Sequence, residues 1–441
     1  MNLPLRMVVG SALALLAACS SNKPASTDAK PGAAGVVDRI AADYVRQALA
    51  LGEHDPHYVD AYHGDPAVRE AVRAARPGLD AIITTARRQI VQLDGMLYDR
   101  APAAERLRHE HLRRQLQALV ARAEQVRGRP FSFEAEAHAL YDVDVTRPSE
   151  DELRARLAPL EALLPPGRGT LADRYNAYLD RFAIAPDKLE AVMRAAIEEA
   201  RRRTQARIAL PAEEHFELAL VSGKSWSAYN WYQGEYRSRI EINTDLPVTM
   251  TRAIELAVHE GYPGHHVYNV LVERELLRKR GWVEFGVYPL FSPQSLIAEG
   301  SADYAVALAF PLAERVAFVR DTLFPLAGFD PQEAERYVTI AEAGRATGAA
   351  TIEAARRYLD GQANAEATVR FLRQYALASE ARARQRLQFF DDYRAYIVNY
   401  SLGETLVTQA MAPYADADAA TRWRAFETLL SLPRLPSALT R

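Results

Sequence analysis

The chain has 441 residues, of which 49% are hydrophobic and 25% charged, and its 54 basic and 57 acidic side chains leave a net charge of −3. This length can bury a sizeable core, and the composition is typical of a folded globular protein. The charges are dispersed and form no basic block, which excludes the usual electrostatic pattern of a nucleic-acid-binding protein.

The N-terminus has the pattern of a bacterial lipoprotein signal. Arg6 precedes a short apolar run, 7–16, and the sequence Leu-Ala-Ala-Cys at 16–19 resembles a lipobox. The apolar run is too short to span a bilayer as a helix. Cys19 is also the sole cysteine of the chain. We predict that residues 1–18 are a signal peptide and that Cys19 carries a lipid that tethers an exported protein to the membrane.

An ordinary secretory signal with a coincidental cysteine is the alternative. Ser20, rather than an aspartate, follows Cys19. That pattern resembles the signals that sort lipoproteins to the outer membrane of Gram-negative bacteria. The resemblance implies an outer-membrane protein that faces the periplasm.

Residues 19–36 are small and polar, which is typical of a flexible tether. Beyond it, apolar residues recur at helical spacing over 80–97, 103–126 and 187–207. We predict a mostly α-helical fold in which 37–441 form one domain. Its N-terminal helical lobe covers about 37–207 and its catalytic part about 208–441.

The stretch from about 215 to 243 departs from the helical pattern. It alternates apolar and polar residues, is rich in aromatic and β-branched side chains, and contains two turn-like segments. We predict a small antiparallel β-meander. It ends at a helix-entry signal, Thr244-Asp245-Leu246-Pro247, and the helix that follows carries a histidine-rich motif.

The motif at residues 259–266 reads H-E-G-Y-P-G-H-H. Zinc peptidases place two histidines at i and i+4 on one helix face, with a glutamate after the first as general base. Here Pro263 stands at i+4 and cannot bind a metal. In a straight helix, His259 and His266 would share a face but lie about 10 Å apart along the axis.

Pro263 and Gly264 both disturb a helix, because proline removes a backbone donor and glycine permits unusual torsion angles. A kink or a π-type bulge would bring His265 back to the second ligand position. We therefore predict His259 and His265 as metal ligands, and keep His266 as the alternative second histidine.

A third ligand comes from the segment that begins at Glu299. Glu299 and Asp303 are four residues apart, so a helix presents them on one face. Glu299 would bind the metal, and Asp303 would hold a histidine ligand in the correct tautomer. Two histidines and one glutamate leave the open position that a catalytic zinc ion needs.

The motifs at 259–266 and 299–304 together resemble those of the bacterial DUF885 family, and the sequence Tyr-Ser-Leu-Gly at 400–403 adds weaker similarity. The family is helical, often exported, and similar to gluzincin peptidases. The resemblance implies a large helical zinc-peptidase-like fold and one Zn²⁺ per chain. This chain departs from the family by being shorter before the motif and by having Ser301 where tryptophan is usual, which we expect to alter a pocket wall.

These residues predict a membrane-tethered zinc peptidase whose substrate is a peptide. Glu260 would be the general base, and Tyr400 would donate a hydrogen bond to the oxyanion of the transition state. Asn230, Tyr232 and Asn243 could contact the substrate backbone.

Arg237 or Arg239 could hold a terminal carboxylate of the substrate. The residues leave open whether cleavage occurs at a chain end or internally.

Two other interpretations share these residues. The first is a non-catalytic helical lipoprotein that binds peptides or a partner, although such a protein has no need of Glu260 as a base. The second is a non-haem iron enzyme, which also uses two histidines and a carboxylate but normally on a β-barrel.

Overall fold

The computed structural model describes residues 33–224 and 226–439. This part of the chain is mostly α-helical, which confirms the predicted fold class. The predicted signal peptide and Cys19 lie outside the described residues. The first helix begins at Ala33, so residues 33–36, which were predicted as the end of the tether, are helical.

Amphipathic helices follow one another through the first half of the chain. Two of them begin at a reciprocal capping box, in which Ser149 pairs with Glu152 and Thr170 with Asp173. The predicted helices over 80–97, 103–126 and 187–207 correspond to the third, fourth and eighth. In order they are α1 (Ala33–His54), α2 (Pro66–Ala75), α3 (Leu79–Asp94), α4 (Ala103–Val126), α5 (Phe133–Tyr141), α6 (Glu150–Leu163), α7 (Leu171–Asp180) and α8 (Pro186–Gln205).

The strands form a three-stranded sheet and a two-stranded pair. They are β1 (Val59–Tyr62), β2 (His215–Val221), β3 (Ala228–Gly234), β4 (Arg237–Asn243) and β5 (Val287–Pro289). In the larger sheet β4 lies between β2 and β3, antiparallel to β3 and parallel to β2. The strands occur where we predicted them, but the sheet is mixed rather than an antiparallel meander.

The strand order follows from the lengths of the two connections. Glu235 and Tyr236, with positive φ angles of 53° and 61°, form a two-residue turn that closes β3 directly onto β4. The β2–β3 connection is longer, and β2 pairs with the remaining edge of β4. In the smaller sheet β1 pairs antiparallel with β5, and this pair was not predicted.

The helices after the sheet include several π-helical turns, where the backbone hydrogen bonds are one residue longer than in an α-helix. These turns are Ala257–Gly261, Val272–Arg278 and Val319–Leu323. The α-helices of this region are α9 (Met250–Leu256), α10 (His265–Leu271), α11 (Pro293–Ala309), α12 (Leu312–Phe318) and α13 (Phe324–Ala327).

The C-terminal region returns to regular helices, interrupted by the 3₁₀ segment Arg394–Asn399. They are α14 (Ala334–Ala343), α15 (Gly348–Leu359), α16 (Ala365–Tyr375), α17 (Glu380–Tyr393), α18 (Ser401–Met411) and α19 (Ala419–Leu430). Helices α11 and α18 cross at Gly300 and Gly403. A Cβ atom on Gly300 would lie 2.3 Å from the carbonyl carbon of Gly403, so the two backbones approach at a distance that only glycine permits.

Two large clusters of buried apolar side chains form most of the core of the described residues, and each joins distant parts of the sequence. The first includes Met193 and Phe426, and the second includes Tyr44 and Phe390. Helix α11 lies between them, since Ile297 packs in the first cluster and the preceding residue, Leu296, in the second. The division near residue 207 into two parts stays a prediction.

Among the described residues, no single helix is long and apolar enough to cross a membrane. Helices α11 and the segment 312–327 pass that test only as a pair, and they are bent by 73° at their junction. Most residues of α11 are buried.

Candidate metal centre

The chain leaves its helix between the first two histidines of the motif. Helix α9 continues into the π-helical turn that carries His259, and the helix ends at Gly261. Tyr262 is extended, and a new helix, α10, begins at His265. A π-type turn was one of the two disturbances that we predicted here. The π-helical turn ends before Pro263, whereas we predicted a bulge at Pro263 and Gly264. The helix also ends at this turn and does not continue through a kink.

Gly264 ties the start of α10 to that turn. Its backbone N–H donates to the carbonyl oxygen of Val258 at 3.0 Å. A Cβ atom at this position would lie 2.0 Å from the carbonyl oxygen of His259 and 2.2 Å from that of Val258. Any residue other than glycine would have to move this backbone, so Gly264 sets the distance between the two histidines.

His259, His265 and Glu299 converge on one point. One potential ligand atom from each lies within 4.8 Å of those of the other two. Oε2 of Glu299 is 3.1 Å from Nε2 of His259 and 3.5 Å from Nε2 of His265. In tetrahedral coordination, ligand atoms about 2.0–2.1 Å from a zinc ion lie roughly 3.3 Å from one another. The donor types and spacing therefore fit a zinc ion.

The two acidic residues of α11 contact the same imidazole on different sides. Nδ1 of His259 lies 2.9 Å from Oδ1 of Asp303, while Nε2 faces Glu299. If Nδ1 carries the proton and donates it to Asp303, Nε2 has a free lone pair at the centre of the cluster. This is the arrangement that the spacing of Glu299 and Asp303 predicts.

The electrostatics of the cluster favour a positive charge. Burial opposes the charging of His259, but Asp303 and Glu299 outweigh it and raise the pKa of His259 well above its ordinary value. Burial likewise opposes ionisation of Glu299, but His265 and His259 lower the pKa of Glu299 far below its usual range. Carboxylates that stay ionised beside imidazoles provide the charge that a bound cation needs.

Tyr396 completes the surroundings of Glu299 and was not predicted. Its hydroxyl donates to Oε1 of Glu299 at 2.7 Å, which leaves Oε2 directed at the histidines. Tyr393, Tyr396 and Tyr400 recur at three- and four-residue spacing, and this pattern was the signal available in the sequence.

Glu260 is buried, with 5% of its surface exposed, and it lines the space beside the cluster. Its carbonyl oxygen accepts a hydrogen bond from Nδ2 of Asn230 at 2.6 Å, which fixes the backbone next to the sheet. Burial raises the pKa of Glu260, while the charges of His259 and His265 oppose that rise. An elevated pKa suits a group that must take up a proton.

Tyr400 lies against His259, with ring centroids 6.2 Å apart and planes 24° from parallel. Burial and the negative charges of Glu299 and Glu260 raise the pKa of Tyr400 well above its ordinary value. Its hydroxyl therefore keeps its proton and can act as a hydrogen-bond donor.

His266, the alternative second histidine, points away from this cluster. It is fully buried, with Nδ1 2.8 Å from Oγ of Ser238 and Nε2 2.8 Å from Oε2 of Glu214. Adjacent residues of a helix point about 100° apart. Since His265 faces Glu299, His266 faces the sheet, and both of its ring nitrogens have partners there.

The predicted substrate contacts divide into two groups. Asn230 and Tyr232 line the space beside the cluster, although the Tyr232 hydroxyl donates to Glu273. Asn243 instead donates to the carbonyl oxygens of Lys224 and Trp226 and so holds the loop before β3.

Arg237 and Arg239 lie on the exposed face of β4, where side chains alternate between the two faces of the sheet. Arg239 pairs with Glu241 at 3.0 Å. Neither arginine lines the cavities beside His259. A different set of arginines, Arg252, Arg382 and Arg386, does so.

Two cavities of different size meet at His259, Glu260 and Tyr400. We call the smaller the tyrosine cavity, because Tyr229, Tyr268, Tyr288, Tyr393 and Tyr396 are among its walls. The larger is the arginine cleft, named for Arg252, Arg382 and Arg386. The candidate metal centre therefore has space on both sides.

The tyrosine cavity also contains a buried acid, Asp60, from β1. The Tyr229 hydroxyl donates to it. Burial raises the pKa of Asp60 to about 6, and the hydrogen bond from Tyr229 opposes this rise. Asp60 was not predicted, since it lies about 200 residues before the motif and β1 has no distinctive pattern.

No protein-family model matches this chain, and no curated protein gives a match. Among solved structures, the chain is similar to a protein of Colwellia psychrerythraea named a putative lipoprotein. The TM-score is 0.52 with 15% identity, over 93% of this chain and 75% of that chain. This similarity shows a shared fold.

Two further solved structures give lower scores. One is a protein of Shewanella oneidensis named a putative lipoprotein of unknown function, with a TM-score of 0.46 and 13% identity over 85% of this chain and 75% of that chain. The other is metallocarboxypeptidase 1 of Trypanosoma cruzi, with a TM-score of 0.45 and 13% identity over 90% of each chain.

The effect of Ser301 on a pocket wall stays a prediction. Ser301 is buried within α11, and its hydroxyl donates to the carbonyl oxygen of Ala298 at 3.1 Å. It does not line the tyrosine cavity or the arginine cleft.

Proposed function

We propose that this chain is a zinc-dependent peptidase of the DUF885 type. The observation that carries the proposal is the convergence of His259, His265 and Glu299, with Glu260 beside them and a cavity on either side. Two imidazoles and one carboxylate make up the ligand set of catalytic zinc sites that keep a fourth position open.

Within this proposal the zinc ion, when bound, supplies a Lewis acid that polarises a water molecule and the carbonyl group of the substrate. Glu260 would take a proton from a water molecule as the water oxygen forms a bond with the carbonyl carbon. The carbon–nitrogen bond then breaks, and Glu260 passes the proton to the leaving amine.

Tyr400 and Asp303 assist this reaction in different ways. The Tyr400 hydroxyl donates a hydrogen bond to the carbonyl oxygen as negative charge develops on it. Asp303 holds His259 in one orientation through the 2.9 Å contact with Nδ1.

We also propose that the protein is an exported lipoprotein held at the outer membrane, facing the periplasm, by a lipid on Cys19. The lipobox-like sequence before the sole cysteine supports this. Replacing Cys19 with alanine is expected to move the protein from the membrane fraction to the soluble fraction. Equal membrane association of the two proteins would contradict the tether.

Digestion of a mixed peptide library tests the proposed function. The zinc-loaded protein is expected to release new peptides, detected by mass spectrometry, and the metal-depleted protein is expected to release none until zinc is restored. A loaded protein that binds peptides without cleaving them would instead support a non-catalytic binding lipoprotein.

A further inference from the structure

The arginine cleft contains a group of cations that the reaction described above does not use. Arg252 reaches it from α9, and Arg382 and Arg386 reach it from α17. The same cleft is lined by His259, Glu260 and Tyr400.

Helix geometry places these cations close to the candidate metal centre. Arg382 and Arg386 are four residues apart and so share one face of α17. Arg252 precedes His259 by seven residues, a rise of about 10 Å along a helix. Since one extended residue spans about 3.3–3.6 Å, about three residues of a peptide would bridge this distance.

Two of the three arginines have no acidic partner. Arg386 donates to Oγ1 of Thr351 at 3.1 Å, and Arg382 donates to the carbonyl oxygen of Pro247 at 3.1 Å. Within the described residues, no carboxylate oxygen lies within 4.0 Å of either guanidinium. Both contacts are to neutral oxygens, which leave the positive charges unbalanced.

The neighbouring acids are already paired with other cations. Glu255 receives Arg252 at 3.1 Å and Arg345 at 3.3 Å, and Arg345 also contacts Glu404 at 3.2 Å. Glu255 is therefore shared, and it neutralises Arg252 only in part. Glu260 and Asp303 also line the cleft, at the end where His259 lies.

Arg386 lies close to other positive charges. The side chain of Arg386 is accessible to solvent from the cleft, but burial among protein atoms and the charges of Arg252 and Arg382 lower the pKa of Arg386 to about 10. An anion in the cleft would relieve this repulsion. A planar guanidinium donates two parallel hydrogen bonds to a carboxylate, so a carboxylate suits the site.

We propose that Arg252, Arg382 and Arg386 bind the C-terminal α-carboxylate of the peptide substrate, so that the enzyme cleaves within about three residues of the C-terminal end of a chain. This rests on the proposed peptidase function and adds its polarity: the C-terminal side of the cleaved bond occupies the arginine cleft. It also assigns the carboxylate contact to these arginines in place of Arg237 and Arg239.

Binding measured without turnover tests the site. Zinc-loaded Glu260→Gln protein is titrated by calorimetry with a peptide that ends in a free carboxylate and with the same peptide as its C-terminal amide. The acid is expected to bind about 10–100-fold more tightly, as charge-assisted hydrogen bonds to a carboxylate predict. Equal affinities would overturn the proposal.

Variants then assign the effect to the cluster. In the Glu260→Gln background, Arg386→Ala is expected to remove most of the preference for the acid, and Arg386→Lys to retain part of it. The matched control is Arg384→Ala, on the same helix, because Arg384 is half exposed and pairs with Glu366 and Glu380. A preference that survives Arg386→Ala and Arg382→Ala together would overturn the proposal.

Hydrolysis assays distinguish the C-terminal α-carboxylate from an acidic side chain as the group that binds in the cleft. They also distinguish failure of the carboxylate site from failure of the proposed peptidase function. The wild-type enzyme is expected to cleave the acid and spare the amide, even when the amide carries glutamate as its last residue. Rapid cleavage of that glutamate amide would show an acidic side chain in the cleft and overturn the proposal. If neither peptide is cleaved but the acid still binds through Arg386, the peptidase function fails and the carboxylate site stands.

Discussion

Two of the three predicted ligands at the candidate metal centre, His259 and Glu299, have a neighbour that determines which atom faces inward. Asp303 contacts Nδ1 of His259 and leaves Nε2 towards the cluster, and Tyr396 donates to one oxygen of Glu299 and leaves the other free. The inward atoms of His259 and Glu299 are thus set before any ion binds. Such preorganisation is what a metal site with an open position requires.

At the scale of single residues, replacing Glu260 with glutamine tests its assignment as the general base. Glutamine has nearly the same shape but cannot accept the proton, so kcat/KM for peptide hydrolysis is expected to fall about 10²–10⁴-fold. The zinc content should stay the same, because Glu260 is not a ligand. Steady-state kinetics and metal analysis of the same preparation measure the two effects.

Glu190→Gln provides the matched control for this change. Glu190 is exposed on α8 and pairs only with Arg194, so its replacement should leave kcat/KM unaltered. Hydrolysis that persists in Glu260→Gln at the wild-type rate would show that another group takes the proton.

The residues that the sequence could predict are those within short motifs. His259, His265, Glu299 and Asp303 carry a metal-binding spacing, and the structure brings all four together. Asp60 and the arginines of the cleft come from segments whose local pattern is that of ordinary helices and strands. Their position depends on long-range packing, which no spacing in a single sequence reveals.

At the scale of elements, the end of one helix and the start of the next produce the ligand geometry. The π-helical turn Ala257–Gly261 and the extended Tyr262 let His265 face Glu299. The sequence indicated a disturbance at Pro263 and Gly264 but not its form, because a bulge, a kink and a complete break all suit those two residues.

Gly264→Ala tests this connection. The added Cβ would lie 2.0 Å from the carbonyl oxygen of His259, so the backbone that carries the first ligand must shift. We expect a loss of roughly 1–3 kcal/mol in the free energy of unfolding. A weaker affinity for zinc should accompany it, measured by competition with a chelator.

Gly78→Ala is the control for that substitution. Gly78 has a φ of −74°, and a Cβ atom there would meet nothing within 4 Å. The stability and zinc affinity of the Gly78→Ala protein should stay close to those of the wild type. Unchanged zinc affinity in Gly264→Ala would show that the break does not set the ligand geometry.

At the scale of the whole molecule, α11 lies between the two core clusters and carries Glu299 and Asp303. The helical class was predictable because periodic apolar residues dominate the sequence. The order of the sheet was not, since alternation identifies strands without specifying their partners.

A buried polar group beside the sheet contributes to the stability of this arrangement. Burial opposes ionisation of Glu214, but hydrogen bonds from His266, Tyr262 and Arg201 outweigh it and lower the pKa of Glu214 to about 2. Since the ordinary value is 4.5, this contribution, about 3 kcal/mol, is complete above pH 4.5 and is lost as the pH falls towards 2.

Glu214→Gln should therefore destabilise the protein at neutral pH and reduce the loss of stability between pH 5 and pH 3. Urea unfolding at several pH values measures both effects. The exposed Glu190→Gln variant should follow the wild-type curve. A wild-type stability that does not change across this range would contradict the role of Glu214.

The most direct test of the account is the zinc content of the purified, metal-loaded protein and of its His265→Ala variant. We predict about one zinc ion per chain in the wild type and almost none in the variant, with the fold of the variant verified by circular dichroism. Wild-type protein without zinc, or a His265→Ala variant that still holds one ion per chain, would contradict the assignment of His259, His265 and Glu299 as its ligands.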